Sequence, residues 1–343
     1  MKFPNKDTPK TGKAIEVAND ILWMRLPLPM ALDHVNVYAI REKTEECDGW
    51  TLIDTGFDTK KSRSIWEELL KGPLLDLPIK RVIVTHHHPD HVGLAGWFQS
   101  KYASEIWASR TTWLFARMMT LDRNEKPSKE TLNFYKSAGM DKEILEQRSK
   151  SAPFNFSDVV APIALGFRRL QQDETIRIGK RSWKIHMGNG HSPEHSTLWS
   201  IDDDIVIAGD QILPSISPNL GVYATEPEAD PVGEWLESCE RLLLEANNDQ
   251  LVLPGHKLPF YGLPNRLTQL IENHHEALER LSNFLITPKT AAQCFEPLYR
   301  RKINSSEYGL ALVESVGHLN HLLKEKKVIR EKTTEGIWLW KKI

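Results

Sequence analysis

The chain has 343 residues, 40% of them hydrophobic and 26% charged, with a formal net charge of −2. That length exceeds one small domain and is read as a large domain followed by a smaller one, with an ordinary apolar core. The near-neutral balance excludes a polyelectrolyte, and no run of about 18 apolar residues offers a transmembrane helix.

The N-terminal MKFPNKDTPKTGK lacks the apolar stretch of a secretory signal, so a cytoplasmic protein without a membrane partner is expected. Cys47, Cys239 and Cys294 are odd in number and show no CxxC spacing, which argues against a disulfide framework or a thiolate metal site. In chain order, ILWMRLPLP, HVNVYAI and WTLIDTG read as strands bounded by polar or Gly/Pro breaks. SIWEELLKG has helical spacing, RVIVT is a buried strand, and a helix is predicted from Pro89 towards Gln99. Residues 110–165 form a helical insertion whose apolar surface comes from Trp113, Phe115, Met118, Met119, Phe134 and Tyr135. It is either helical core or in part a lid over a pocket. Strands return at TIRIGKRSWKIHMG, TLWSI, DIVIAGDQI and QLVLPGH. From about residue 265 three helical stretches lead to VIREKTTEGIWLWKKI, two strands around a TTEG turn. The domains expected are therefore 1–264, catalytic, and 265–343, helical and winged-helix-like.

The chemistry concentrates in RVIVTHHHPDHVG, Arg81 to Gly93. Pro89 biases His88 towards an extended backbone, and in an extended stretch His86 and His88 share a face while His87 points away. Asp90 and His91 then open a helical turn aimed back at the strand end. Further donors recur in one grammar of apolar strand, small residue and ligand: His191 after Gly190, Asp210 after Gly209 and His256 after Gly255. Asp54 ends a strand in the same style. The glycines permit tight turns and close backbone approach. The set exceeds the four ligands of a closed structural zinc site. His87 is read as a neighbour of the site and His195 as a supporting residue, not ligands. His274, His275, His318 and His321 fall on C-terminal helices as surface or packing residues.

THHHPDH resembles the HxHxDH motif of the metallo-β-lactamase fold superfamily, and His191, Asp210 and His256 match its remaining ligand positions over roughly residues 15 to 260. The resemblance implies an α/β fold, a four-layer αββα sandwich with metals along one edge of two packed sheets. It implies a dinuclear site, usually zinc, with iron or manganese compatible with the same donors. His86, His88 and His191 would hold one ion, Asp90, His91 and His256 the other, and Asp210 would bridge them. Asp54 would orient a ligand histidine. Two ions sharing a water would yield a hydroxide at neutral pH, with Asp90 as the catalytic proton carrier.

These features point to a dinuclear metal-dependent hydrolase of a small-molecule thioester, lactone or ester with an apolar acyl part. Tyr223 and Tyr261 are candidate substrate contacts beside the pocket mouth. The alternative is a phosphodiesterase or nuclease whose C-terminal unit holds nucleic acid. Basic clusters at 300–302 and 324–327 suggest it, but no aromatic–basic interleaving accompanies them. Packing or homodimerisation is the favoured role for that unit.

Overall fold

A computed structural model describes every residue except Asn5 and 44–47, so Cys47 lies outside the described residues. Seven strands form the first sheet: β1 Ile15–Ala18, β2 Ile21–Pro27, β3 His34–Lys43, β4 Asp48–Ile53, β5 Ile79–Ile83, β6 Glu105–Ala108 and β7 Arg168–Arg169. Neighbours follow chain order, antiparallel from β1 to β4 and parallel from β4 to β7. The switch to parallel pairing requires crossovers. Helix α1, Lys60–Lys71, lies between β4 and β5; α2 Pro89–Val92 and α3 Ala95–Tyr102 lie between β5 and β6; α4, Arg110–Leu121, follows β6.

The second sheet holds β8 Thr175–Ile178, β9 Arg181–Gly188, β10 His195–Ser200, β11 Ile205–Gly209 and β12 Leu251–Pro254, antiparallel except for the parallel pair β11 and β12. Strand alternation decides which face each residue serves. On β3, Tyr38 and Ile40 join a cluster with Trp23, Ile53 and Ile83 of the first sheet and Trp183, Ile185, Leu198, Ile207 and Leu253 of the second. The two sheets therefore pack face to face. Val35, Val37 and Ala39, on the opposite face of β3, pack with Ile65, Trp66 and Leu69 of α1 and Phe98 of α3. Full burial of each large side chain contributes roughly 1.5–3 kcal/mol relative to exposure.

The helix predicted to run on from Pro89 is two helices, broken after Val92. Gly93 sits at the break with backbone on every side: a Cβ there would come within 2.8 Å of the Val159 carbonyl oxygen. The chain turns where only a residue without a side chain fits.

By contacts the chain divides into two compact units. One comprises residues 1–123, 155–218 and 242–266 and carries both sheets with α1 to α4. The other comprises 124–154, 219–241 and 267–343. It contains α5 Lys129–Ser137, α6 Lys142–Lys150, most of α7 Pro231–Leu243 and of α8 Leu263–Phe284, then α9 Phe295–Tyr299, α10 Tyr308–Lys324 and the hairpin of β13 Val328–Lys332 with β14 Trp338–Lys342. Among the described residues no helix is long and apolar enough to cross a membrane.

Helix α10 is packed on most sides, from Ala311 to Leu322. His274 and His318 each point Nδ1 at the carbonyl four residues earlier, and their rings stack at 5.7 Å and 9°. His321 Nδ1 lies 3.0 Å from Asp230. All three histidines are buried packing residues, whereas His275 is exposed. Cys239 and Cys294 are buried.

Candidate metal centre

Parallel strands end at one edge of a sheet, and the centre is assembled at two such edges. Asp54 follows β4, Thr85 and His86 follow β5, Asp210 follows β11, and His256 lies just beyond β12. His88 is extended, at φ −61° and ψ 144°, and caps the four-residue α2, whose first turn carries Asp90 and His91.

Three groups of donor atoms, each within 4.8 Å, result: His86, His88 and His191; His86, His91 and Asp210; Asp90, His91 and His256. His86 and His91 each belong to two groups, so the three merge into one centre. Its inner side is buried, while His88, Asp90 and His191 are partly exposed.

Supporting hydrogen bonds fix which nitrogen each ring presents. Asp54, held at φ 60°, accepts from the Thr85 N–H and hydroxyl and from His91 Nδ1, each at 2.8 Å. His91 therefore turns Nε2 inward, 3.4 Å from Asp210 Oδ1 and 3.6 Å from Asp90 Oδ2. The Thr85 hydroxyl spends its one O–H as donor to Asp54, so its oxygen accepts from His86 Nδ1 at 3.0 Å. His86 is left with a bare Nε2, 3.1 Å from His88 Nδ1. His256 donates from Nδ1 to the His34 carbonyl at 2.7 Å and points Nε2 at Asp210 Oδ2, 3.1 Å away. His195 is buried, stacks on His86 at 4.6 Å, and accepts the Asp210 N–H on Nε2 at 3.0 Å. It positions Asp210 through the backbone.

Charge separates the donors into two kinds. Burial, reinforced by neighbouring imidazoles, holds His86 and His88 well below their ordinary value, so both are neutral with lone pairs available. Burial also lowers His91 and His256, but Asp210 and Asp90 outweigh it, raising His91 well above its usual range and His256 to about 10. Burial would raise Asp210, yet His256 and His91 hold it well below the carboxylate range.

The residues present fit a pair of cations. His91 Nε2 and Asp210 Oδ1 are buried without hydrogen-bond partners. Orphaned buried polar atoms are costly, and a cation between them would satisfy both.

Two glycines make this proximity possible. A Cβ on Gly255 would run into Asp210 Oδ1 and come within 2.9 Å of His91 Cε1. One on Gly209, at φ 50°, would approach His195 Cε1 to 2.5 Å.

The model of the metallo-β-lactamase superfamily matches residues 30–256. The chain belongs to that superfamily. The model of the metallo-β-lactamase-like C-terminal domain matches residues 278–343. A crystal structure of a β-lactamase domain protein from Burkholderia ambifaria is 33% identical, covers 99% of this chain and 98% of its own, and superposes with a TM-score of 0.91. The "Probable metallo-hydrolase YqjP" of Bacillus subtilis is 22% identical over 314 residues, 90% of this chain and 94% of its own. The "Hydroxyacylglutathione hydrolase GloC" of Haemophilus influenzae is 23% identical over 206 residues, 60% of this chain and 78% of its own.

Tyr261 packs against the core between the sheets and pairs its backbone with Lys2. Tyr223 is an exposed residue of the second unit. Three residues that sequence inspection passed over stand beside the donors: Thr85, the relay from Asp54 to His86; His34, whose carbonyl aims His256; and Ser192, 2.9 Å from His87. Thr85 could have been found as the polar residue ending the RVIVT strand. The other two join residues 222 and 105 positions apart and leave no local signal.

Proposed function

We propose that this metallo-hydrolase holds two divalent ions, His86, His88 and His191 at one position and Asp90, His91 and His256 at the other, with Asp210 between. Its substrate is a thioester, lactone or other carboxylic ester with an apolar acyl part. The merging of the donor triads through His86 and His91 carries the metal assignment. Imidazole-rich sets suit zinc. When bound, such ions supply Lewis acidity and lower the pKa of coordinated water.

The chain's own groups supply the rest. Asp54 and Thr85 fix the His91 and His86 tautomers, and His195 and the His34 carbonyl aim Asp210 and His256. Asp90 Oδ2 is the more exposed of the two inner carboxylates, with 17% of its side chain accessible against 8% for Asp210. It is the group placed to hold a proton for a leaving alcohol or thiol.

Helix α4 supports an apolar acyl part. Phe115 lies 5.1 Å from His87, and Leu114, Met118 and Leu121 of the same helix are exposed. A lid role for this stretch of the 110–165 insertion rests on the same residues.

The second unit, with helices followed by a terminal hairpin, supports a winged-helix-like reading. Four of its basic groups are paired within the unit, Arg301 with Glu307, Lys324 with Asp230, Lys327 with Glu325 and Arg330 with Glu228, which weighs against a nucleic-acid surface. Packed sheets backed by α1 and α3 support the sandwich.

The test is turnover of short- and medium-chain acyl thioesters and lactones by metal-loaded protein beside an Asp210→Ala control. Hydrolysis by the parent alone is expected. No reaction above the control, together with cleavage of a phosphodiester, would replace the proposal.

A further inference from the structure

His87 stands between two donors, yet it belongs to none of the donor triads. Its Nδ1 lies 2.9 Å from the hydroxyl of Ser192, the residue after His191. Both side chains are buried, His87 at 8% and Ser192 at 1% exposure. Phe115 and Phe156 lie against the His87 ring at 5.1 and 6.5 Å, the latter parallel to it. Apolar walls keep water from competing for the bond, which strengthens it.

The placement of this bond is what gives it a consequence. His86 and His88 come from the loop after β5, in the first sheet. His191 comes from the loop joining β9 to β10, in the second. The triad they form therefore spans two sheets, and the His88 and His191 rings meet at 4.4 Å. Apolar packing between sheets is not directional enough to set such a gap to a fraction of an ångström, whereas a buried hydrogen bond is. His87 and Ser192 are the immediate chain neighbours of the residues that must be held.

Resting on the metal assignment above, we propose that the His87–Ser192 bond is a latch between the two ligand-bearing loops, and that it sets the affinity of the His86, His88 and His191 triad for its cation. His87 and Ser192 are positioning residues, and neither touches the ion. Phe115 and Phe156 hold the imidazole in the plane that reaches Ser192. Since Phe115 belongs to α4, the latch also ties the first metal position to the helix carrying the exposed apolar residues.

The test is zinc binding by the full chain, stripped with chelator and titrated against a chromophoric competitor. Cobalt substitution reports the coordination geometry independently of turnover. The parent should bind two ions. Ser192→Ala should weaken one of the two by about tenfold to a hundredfold, the range for removing a partner that orients a ligand, and leave the other unchanged. Ser192→Thr keeps a hydroxyl and should restore parent affinity. The double variant His87→Ala/Ser192→Ala should lose little more than His87→Ala alone, because one bond is being removed. Melting of each stripped variant establishes that it is folded. Parent-like affinity at both positions in folded Ser192→Ala would overturn the latch. A parent that takes up no zinc would instead remove the metal assignment on which it rests.

Discussion

Replacing Gly255 by alanine adds one methyl group and no charge, and it should disable the centre. The backbone there is outside the left-handed region, so alanine carries no conformational penalty. The new Cβ, however, would overlap Asp210 Oδ1 and lie 2.9 Å from His91 Cε1. Carbon contacts settle near 3.5–4.0 Å, so one or both groups must move by on the order of 1 Å. Functional constellations tolerate about 0.5 Å, and a displacement of about 1 Å costs roughly a hundredfold in rate. Overpacking by one methyl costs about 1–3 kcal/mol of a typical 5–15 kcal/mol, so the variant should still fold. Elemental analysis and kcat/KM on a thioester substrate give the readout. A folded Gly255→Ala with parent metal content and parent activity would show that Asp210 and His91 do not meet beside residue 255.

Asp54→Ala removes the acceptor of the Thr85 N–H and of His91 Nδ1 and leaves both donors buried. At about 1–3 kcal/mol for each orphaned donor, urea melts should show a loss of about 2–6 kcal/mol, with metal affinity down about tenfold or more; unchanged melts would sink the relay. His318 supplies a pH dependence away from the metals. Burial first, and then the neighbouring His274, lower it from 6.5 to about 3. Its folded value lies below its unfolded one, so the stabilisation is complete above about pH 6.5 and is lost as pH falls through the window towards 3. At about 1.4 kcal/mol per pH unit, the parent should lose about 2 kcal/mol between pH 6.5 and 5 relative to His318→Gln. A pH-independent difference between the two proteins would contradict this.

Much of the centre was legible because four of its donors lie within His86–His91, and the others each follow an apolar strand. A strand end followed by glycine and a donor is a local pattern, and parallel pairing of β4 with β5 and of β11 with β12 carries it into space. What escaped was non-local. The Thr85 relay depends on a hydroxyl that donates to Asp54 while accepting from His86, and Ser192 means nothing until His87, 105 residues earlier, arrives beside it. The four-residue β6 is too short to show alternation and exists through its parallel pairing with β5. Helix α7 was readable in principle: Pro231 opens it, and Val232, Trp235, Leu236, Cys239 and Leu242 recur at helical spacing and are buried. The need for glycine at 93 comes from carbonyls of residues 56 and 159 closing around it, which no local pattern encodes.

Metal stoichiometry of the purified chain bears most directly on the paired-cation centre. Elemental analysis should find two transition-metal ions per chain, falling on substitution of His191 or Asp210 by alanine in protein that remains folded. A folded, catalytically active parent that holds no transition metal, even after incubation with zinc, would contradict it.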